Sequence, residues 1–355
     1  MPTNTSFTRT YGEFETSTVD TYGQRSFEDV VSRASPLMKW LMNDDGVTGR
    51  APTPGRKGGG TSRYMPGIGG DWLKEPLMTD LSDTVKWYSG SETFDTNEQN
   101  VGTAAFFEPK QLGVTITISG EEQRRNKGEA AVINLLQAKT DQALISIRND
   151  LAVSLMGSGA NPKEILGIQS MIPTDRGAGS AYGKITGSTA TDPYWLVQRS
   201  RTYDGTYGNV GDFETNFRKY GKRLYHDCEE GSSAPDLHLV SQELMESYDD
   251  LLLPYERFTS KKARDLGFEN VLTFMMVPVL WDRKHPTAGD TTQVWYMLNS
   301  EYMYLRYSED ANFTTLGFQR PANGDSQTTP VIWQGCFTTN NRRMHGVLTG
   351  ITGLG

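Results

Sequence analysis

The longest regular pattern of apolar positions in the chain is helical and covers residues 121–157. Its apolar side chains recur mostly three or four positions apart, at Leu136, Ala143, Leu144, Ile147, Leu151 and Leu155. Ser119 followed by Glu122 forms a capping-box pattern that predicts the start of the helix, and Gly157 predicts its end. The pattern therefore predicts one amphipathic helix of about 50 Å, at ~1.5 Å per residue.

The residues before this helix have little apolar periodicity. Residues 1–25 are polar with scattered aromatic side chains and predict an extended arm, and residues 27–42 predict a short helix kinked at Pro36. Residues 43–70 contain nine glycines and three prolines, too little apolar surface to offset the entropy of ordering them. We therefore expect neighbouring copies of the chain to supply the surface that orders this part.

Alternating apolar and polar positions predict strands on both sides of the long helix. Residues 80–92 and 111–119 are expected to form the stem of a long hairpin. Helices are predicted at 212–229 and 242–252, and strands at 236–240, 271–279, 293–298, 303–307, 314–318, 331–338 and 344–351. This order of helices and strands predicts an α+β fold.

Composition excludes several classes of protein. The 355 residues include two cysteines, too few for a disulfide framework, and the net charge of −8 argues against a dedicated nucleic-acid binder. The first residues lack the basic and apolar regions of a signal peptide, and no run approaches the ~20 apolar residues of a membrane helix. We expect a soluble protein made in a cytoplasm, with no membrane partner.

Glycine-rich segments offer the nearest approach to a nucleotide site. Residues 55–62, GRKGGGTS, have the two glycines and the serine of a phosphate-binding loop, but Thr61 stands where the lysine is required. The cluster of Gly67, Gly69 and Gly70 does not have the glycine spacing of a dinucleotide-binding motif, because no glycine lies at the third position of that motif. We interpret both glycine-rich segments as flexible loops, and no cofactor is predicted.

Four dispersed histidines give no catalytic or metal constellation. His226 and Cys228 could ligate a metal, but without a second pair nearby a solvated helix end is favoured. His238 lies in an alternating strand and is predicted to be packed, His285 lies in a turn, and His345 lies near the end of the chain. Without a GxSxG elbow, no catalytic site and no metal site are predicted, and the chain is not expected to be an enzyme.

Charged clusters favour contacts between copies over contacts with nucleic acid. One basic patch comprises Arg50, Arg56, Lys57 and Arg63. Because the chain as a whole has more acidic than basic residues, we favour pairing of this patch with a neighbour's carboxylates over contact with nucleic acid. Acidic pairs are interpreted as helix-end electrostatics and solvated faces, at Glu121 and Glu122 and at Asp249 and Asp250.

Three runs in the second half carry a family resemblance. They are VLTFMMVPVLWD (271–282), VWYMLNSEYMYLRYSED (294–310) and VIWQGCFTTNNRRMHGVLTGI (331–351), and they resemble the closing part of tailed-bacteriophage major capsid proteins of the Hong Kong 97 type. The order of arm, extended loop, capped helix, helix exit at 157–172 and β-rich half extends the resemblance over essentially the whole chain.

The resemblance implies a division of the chain. The N-terminal arm would be 1–50 and the extended loop 51–118, followed by a peripheral domain at 119–194 that contains the spine helix, 121–157. An axial domain at 195–330 would point at the centre of pentamers and hexamers, and the strands of 331–355 would return to the peripheral domain. Arm and loop would then gain their ordering energy on adjacent subunits.

The resemblance also implies a function. The chain would be a structural head protein that self-assembles into an icosahedral shell around double-stranded DNA, located in the virion and assembled in the host cytoplasm. Its partners would be copies of itself, a portal, a separate scaffolding protein, decoration proteins and, non-specifically, the packaged DNA. The alternatives are an encapsulin-like compartment shell and, less favoured, a cytoplasmic nucleotide-binding enzyme.

Some members of the family weld their shells through bonds between lysine and asparagine. Residues of suitable type are Lys74, Lys86 and Lys110 with Asn340 or Asn341. Ordinary surface residues are the favoured interpretation of all five.

Overall fold

The fold is known from a computed structural model. It describes residues 35–42, 64–67, 70–78, 82–98, 102–125, 135–174, 181–186, 195, 197–199, 208–252, 272–287, 290–321 and 324–353. The helices are α1 (Pro36–Met42), α2 (Gly120–Arg125), α3 (Leu135–Met156), α4 (Ile168–Met171), α5 (Phe213–Asp227) and α6 (Gln242–Leu252). None of the described helices is long and apolar enough to cross a membrane.

Fifteen strands are present within the described residues. They are β1 (Tyr64–Pro66), β2 (Leu73–Met78), β3 (Gly102–Phe107), β4 (Lys110–Ser119), β5 (Ala181–Tyr182), β6 (Ile185–Thr186), β7 (Gln198–Arg199), β8 (Gly211–Asp212), β9 (Leu237–Val240), β10 (Thr273–Phe274), β11 (Val277–Trp281), β12 (Gln293–Leu298), β13 (Met303–Thr315), β14 (Ser326–Thr339) and β15 (Gly346–Thr352). The mixture confirms the predicted α+β class.

The chain divides into two compact units. Among the described residues, the first unit comprises Leu112–Asp150 and Ala311–Trp333. The second comprises the described parts of Ala34–Gln111, Leu151–Asp310 and Gln334–Gly355.

Among the described residues, the first unit holds the part of α3 up to Asp150, most of β4, the end of β13 and the first part of β14. In the sheet that these strands form, β14 lies between β13 and β4. Alternation along β4 places Ile116 in the core, where it packs with Ala143 of α3 and Val331 of β14. The buried side chains described along the whole of α3 lie on one stripe, as its sequence pattern predicts; they are Ala143, Ile147, Leu151, Ala152, Leu155 and Met156.

The predicted capping box is confirmed at the start of α2. The Ser119 backbone N–H donates to Glu122 Oε2 at 3.1 Å, and the Glu122 N–H donates to Ser119 Oγ at 3.1 Å. Lys139 Nζ also lies 2.6 Å from Glu122 Oε2. Burial alone would raise the pKa of Glu122, but the hydrogen bonds and the charge of Lys139 together lower it. The sequence pattern thus located the helix start correctly.

The second unit is built on a seven-stranded sheet in the order β10, β11, β9, β12, β15, β7, with β8 also pairing with β15. Its central strands β9 and β12 are buried on both faces, which is why their sequences are nearly continuous apolar runs. Antiparallel pairing sets Tyr296 opposite both Leu239 and Val347. Helices α5 and α6 cover one face through a cluster that includes Phe217, Tyr248 and Trp295.

Several predicted elements are confirmed and others are corrected. The helices at 212–229 and 242–252 and the strand at 293–298 are present as α5, α6 and β12. The long helix is confirmed at Leu135–Met156, whereas 126–134 and 27–34 lie outside the described residues. Pro36 begins α1 instead of kinking it, because Ser35 is already non-helical and proline suits a first helical position.

The predicted hairpin stem was wrong in its first strand. Residues 82–92 form no strand; the hairpin is made by β2 and β3, paired antiparallel from Leu73 opposite Phe107 to Met78 opposite Gly102. The second predicted strand is confirmed as β4, but it lies beside β14. The predicted strand at 271–279 is instead a tight hairpin that turns at Met275 and Met276, both with positive φ.

Candidate assembly surfaces

Four exposed apolar side chains of the described chain lie together on one loop, residues 82–98, which we call the loop tip. Trp87 is fully exposed, Val85 is 84% exposed, and Tyr88 and Phe94 are each exposed by about 60%. Four carboxylates and one lysine give the loop tip a net charge of −3. A cluster of exposed aromatic side chains on a soluble protein marks a contact surface.

The loop tip has an ordered internal arrangement. The rings of Tyr88 and Phe94 contact edge to face, with centroids 4.9 Å apart. Lys86 Nζ donates to the Thr93 carbonyl and lies 3.9 Å from Glu92. These contacts close a turn within the loop tip and leave the Trp87 indole fully exposed, so it is available to a partner.

Strands β2 and β3 form the loop stem, which is anchored by a largely buried ion pair. Glu75 Oε1 of β2 lies 3.2 Å from Arg306 Nη2 of β13 and accepts a hydrogen bond from Thr338 Oγ1 of β14 at 3.4 Å. The Arg306 guanidinium also lies over the ring of Tyr304, 4.8 Å from its centroid. The ion pair therefore fixes the stem to Arg306 and Thr338, which belong with it to the second unit.

A small hairpin, β5 and β6, supports the same stem. The Phe106 N–H donates to the Gly183 carbonyl at 2.9 Å, and Lys184 Nζ lies 3.4 Å from the ring centroid of Trp72. Gly183 has φ +62°, and a Cβ there would lie 2.8 Å from the Ala105 side chain, so only glycine fits. The stem is thus held by the ion pair of Glu75 with Arg306 and by the contacts of Phe106 and Trp72 with the small hairpin.

Breaking the stem ion pair is expected to destabilise the subunit. Glu75→Gln removes the charged partner of Arg306 among the described residues. This change should lower the free energy of unfolding by about 2–3 kcal/mol, near the lower end for a buried ion pair because Arg306 keeps some contact with water. Denaturant unfolding measures this. The matched control is Glu108→Gln, whose exposed pair with Lys110 should contribute below about 1 kcal/mol; equal losses in the two variants would contradict the anchoring role.

A buried arginine lies beneath the stem among aromatic rings. The Arg342 guanidinium is 5.2 Å from the centroid of Tyr182 and 5.8 Å from that of Trp195, and its Nε donates to the Met171 carbonyl at 2.8 Å. Burial lowers the pKa of Arg342 to about 10 and raises that of the Tyr182 hydroxyl. Phe107 of the stem contacts Tyr182 edge to face, with ring centroids 5.1 Å apart, so this cluster connects Arg342 to the loop stem. Sequence reasoning missed it because its members lie far apart in the chain.

Three of the four histidines are core residues. His238 Nε2 lies 3.3 Å from the Phe274 carbonyl, which confirms the predicted packing; His285 accepts a hydrogen bond from Thr287; and His345 Nδ1 accepts from the Asn299 N–H at 3.2 Å. Burial lowers the pKa of each imidazole to about 3, and for His345 the charge of Arg342 acts in the same direction. All three are therefore neutral near pH 7.

The histidine and cysteine considered as metal ligands are not arranged as a site. His226 is exposed at the end of α5, with Nδ1 3.2 Å from Glu229, whereas the Cys228 thiol is buried and its pKa is raised by burial. No cluster of three metal-ligating side chains occurs among the described residues.

The remaining candidates from the sequence lie either outside the described residues or on separate elements. Residues 55–62, the basic patch and Gly69 lie outside the described residues, while Gly67 and Gly70 have positive φ. Glu122 belongs to the capping box, and Glu121, Asp249 and Asp250 lie on helices. The interpretation of the acidic pairs as helix electrostatics stays a prediction.

The candidate cross-linking residues have local partners. Lys74 lies over the ring of Phe106, and Lys86 and Lys110 pair with Glu92 and Glu108. Asn341 Oδ1 accepts from the Arg343 N–H, and Asn340 Oδ1 is buried without a hydrogen-bond partner in the described chain. Their role in covalent bonding stays untested.

Comparison with known proteins gives a result only at the level of structure. No protein-family model and no curated protein matches the chain. The capsid of an empty GTA particle matches with a TM-score of 0.59 at 9% identity, covering 93% of this chain and 94% of that one. The cyanophage A-1(L) capsid matches with a TM-score of 0.59 at 11% identity, covering 93% and 96%.

The chain has the Hong Kong 97-type capsid fold. The holo-SrpI encapsulin of Synechococcus elongatus PCC 7942 also matches, with a TM-score of 0.51 at 8% identity, covering 92% of this chain and 98% of that one. The fold is thus similar to both capsid and encapsulin shells, so what the chain assembles into must be argued from its own surfaces.

Proposed function

We propose that this chain is a major capsid protein, which assembles with copies of itself into an icosahedral shell enclosing double-stranded DNA. One observation carries the proposal: a firmly anchored loop stem presents a fully exposed Trp87 and three further largely exposed apolar side chains, Val85, Tyr88 and Phe94. Burying three aromatic side chains in a partner removes several hundred Å² from water. The Hong Kong 97-type fold supports a second copy as that partner.

The same proposal assigns roles to the parts of the chain. Residues 1–50 and 51–118 would act as arm and extended loop on adjacent subunits, 119–194 as the peripheral domain, 195–330 as the axial domain and 331–355 as its returning strands. The shell would have no catalytic function, cofactor or metal. A portal, a separate scaffolding protein and non-specific contact with packaged DNA would complete the virion, assembled in the host cytoplasm.

Electron microscopy of the purified chain after size exclusion tests the proposal. We expect closed polyhedral particles, and double-stranded DNA protected from nuclease inside particles isolated from their source supports the capsid role. A protein co-purifying inside the particles at fixed stoichiometry would favour an encapsulin-like compartment, which the SrpI match motivates. A stable monomer under all assembly conditions would contradict both.

A further inference from the structure

Two apolar side chains are exposed close together where the chain leaves β13, on residues 316–321, which we call the hairpin end. Leu316 is 57% exposed and Phe318 is 46% exposed, and Arg320, two residues further on, is exposed as well. No hydrogen bond or ion pair of the described residues includes the Arg320 side chain. The hairpin end therefore offers a partner two apolar side chains and one unpaired positive charge.

The hairpin end is held in place by backbone pairing with the segment that contains β14. The Leu316 N–H donates to the Pro330 carbonyl at 3.2 Å, and Gln319 and Thr328 exchange two backbone hydrogen bonds of 2.8 and 2.9 Å. These bonds fix the chain on both sides of Phe318. A partner that binds here loses little of its binding energy to ordering the backbone.

The loop tip has the opposite charge. Among the described residues, Glu92 is the one carboxylate of the loop tip that forms an ion pair, with Lys86. Asp83 and Glu98 are exposed and unpaired in this part of the chain. The loop tip thus combines exposed aromatic rings with unpaired negative charge. The hairpin end matches it in both respects, because apolar side chains and the opposite charge lie together there.

The other exposed apolar side chains of the described residues match the loop tip less well. Outside residues 72–94 they are Val153, Met276 and Trp281. Val153 lies on α3, and Met276 and Trp281 lie at opposite ends of β11. Trp281 is the nearest competitor, because Arg283 beside it is exposed. It offers a single apolar side chain that is 38% exposed, against two at the hairpin end.

A closed ring of identical copies requires head-to-tail contacts, in which two different surfaces of each copy meet. We infer that the loop tip of each copy docks on the hairpin end of a neighbouring copy. In this contact the aromatic side chains of the loop tip cover Leu316 and Phe318, and Arg320 pairs with a loop-tip carboxylate. The inference rests on the proposed function and names the surface that receives the loop tip.

Cross-linking between two different cysteine variants tests the contact directly. Ser89→Cys places a thiol on the loop tip and Gln319→Cys places one on the hairpin end, whereas both native cysteines are buried. Shells assembled from a 1:1 mixture of the two chains, one of them tagged, are treated with a short bis-maleimide. We expect a covalent dimer that contains one chain of each kind. The control mixture uses Arg283→Cys in place of Gln319→Cys and should give no mixed dimer.

Charge reversal tests the pairing of Arg320. Arg320→Glu alone is expected to lower the shell yield at least about fivefold at ~0.15 M salt, where charges across a contact still interact. Adding Asp83→Lys and Glu98→Lys to the same chain should restore the yield, because every contact between copies again joins opposite charges. Arg283→Glu is the matched control and should keep the wild-type yield. All four positions are exposed, so the unassembled subunits should melt at the wild-type temperature.

Three outcomes would overturn the inference. Shells that form normally but give no mixed dimer would show that the loop tip docks elsewhere, and would leave the proposed function intact. A mixed dimer with Arg283→Cys but not with Gln319→Cys would assign the loop tip to the surface around Trp281. Normal Arg320→Glu shells that have lost a co-purifying second protein would assign the hairpin end to that protein. Failure of the wild-type chain to form shells would instead remove the proposed function, and this inference with it.

Discussion

Replacing Trp87 with serine is expected to leave a folded subunit that no longer forms closed shells. The Trp87 indole is fully exposed, so its loss should not change the melting temperature of the unassembled subunit. In the proposed shell it is the most prominent side chain that a neighbouring copy can bury, and aromatic anchors of this kind dominate interface energies. Size exclusion, electron microscopy and thermal unfolding of the same preparation measure both effects.

A buried tryptophan provides the matched control. Trp295 contacts Phe217 and Tyr248 in the core of the second unit, so Trp295→Leu should lower the melting temperature even before assembly is attempted. Loss of a buried aromatic side chain costs about 3 kcal/mol. Opposite patterns in the two variants separate assembly from folding. Wild-type shells from Trp87→Ser would show that the loop tip does not carry the subunit contact.

The misplaced hairpin stem shows why sequence alone could not locate the assembly surface. Residues 80–92 alternate well enough to predict a strand, yet Val85 and Trp87 are exposed. Alternation predicts a buried face only if some element covers it, and no part of the described chain covers the loop tip. An apolar pattern that a neighbouring subunit would cover, as we propose for the loop tip, is therefore indistinguishable in one sequence from an ordinary half-buried strand.

Elements whose partners lie nearby in the chain were predictable. The capping box is complete within four residues, and the apolar run of β12 required only that both faces of the sheet be covered. The tight hairpin at Met275 and Met276 was not, because methionine rarely adopts positive φ and gives no turn signal. The Arg342 cluster joins residues more than a hundred positions apart, and no local pattern records such a contact.

Acidification is expected to unfold the subunit over a narrow range of pH. In the folded chain the pKa of His238, His285 and His345 is about 3, against about 6.5 when unfolded. Between these values the unfolded chain binds protons that the folded chain does not. The stability present above pH 6.5 therefore decreases by about 1.4 kcal/mol for each histidine with every unit by which the pH is lowered. Three sites give about 4 kcal/mol per unit, enough to exhaust a typical stability of 5–15 kcal/mol by roughly pH 4.

One variant isolates the contribution of a single site. His345→Asn can keep an acceptor for the Asn299 N–H while removing the titrating ring, so its unfolding free energy should depend less steeply on pH, by about 1.4 kcal/mol per unit between pH 6 and 4. The wild-type chain, measured in parallel, is the reference. Denaturant unfolding at pH 7, 6, 5 and 4.5 measures the two slopes. Identical slopes would mean that carboxylates alone determine the pH at which the subunit unfolds, and that protonation of the His345 imidazole does not lower the free energy of unfolding.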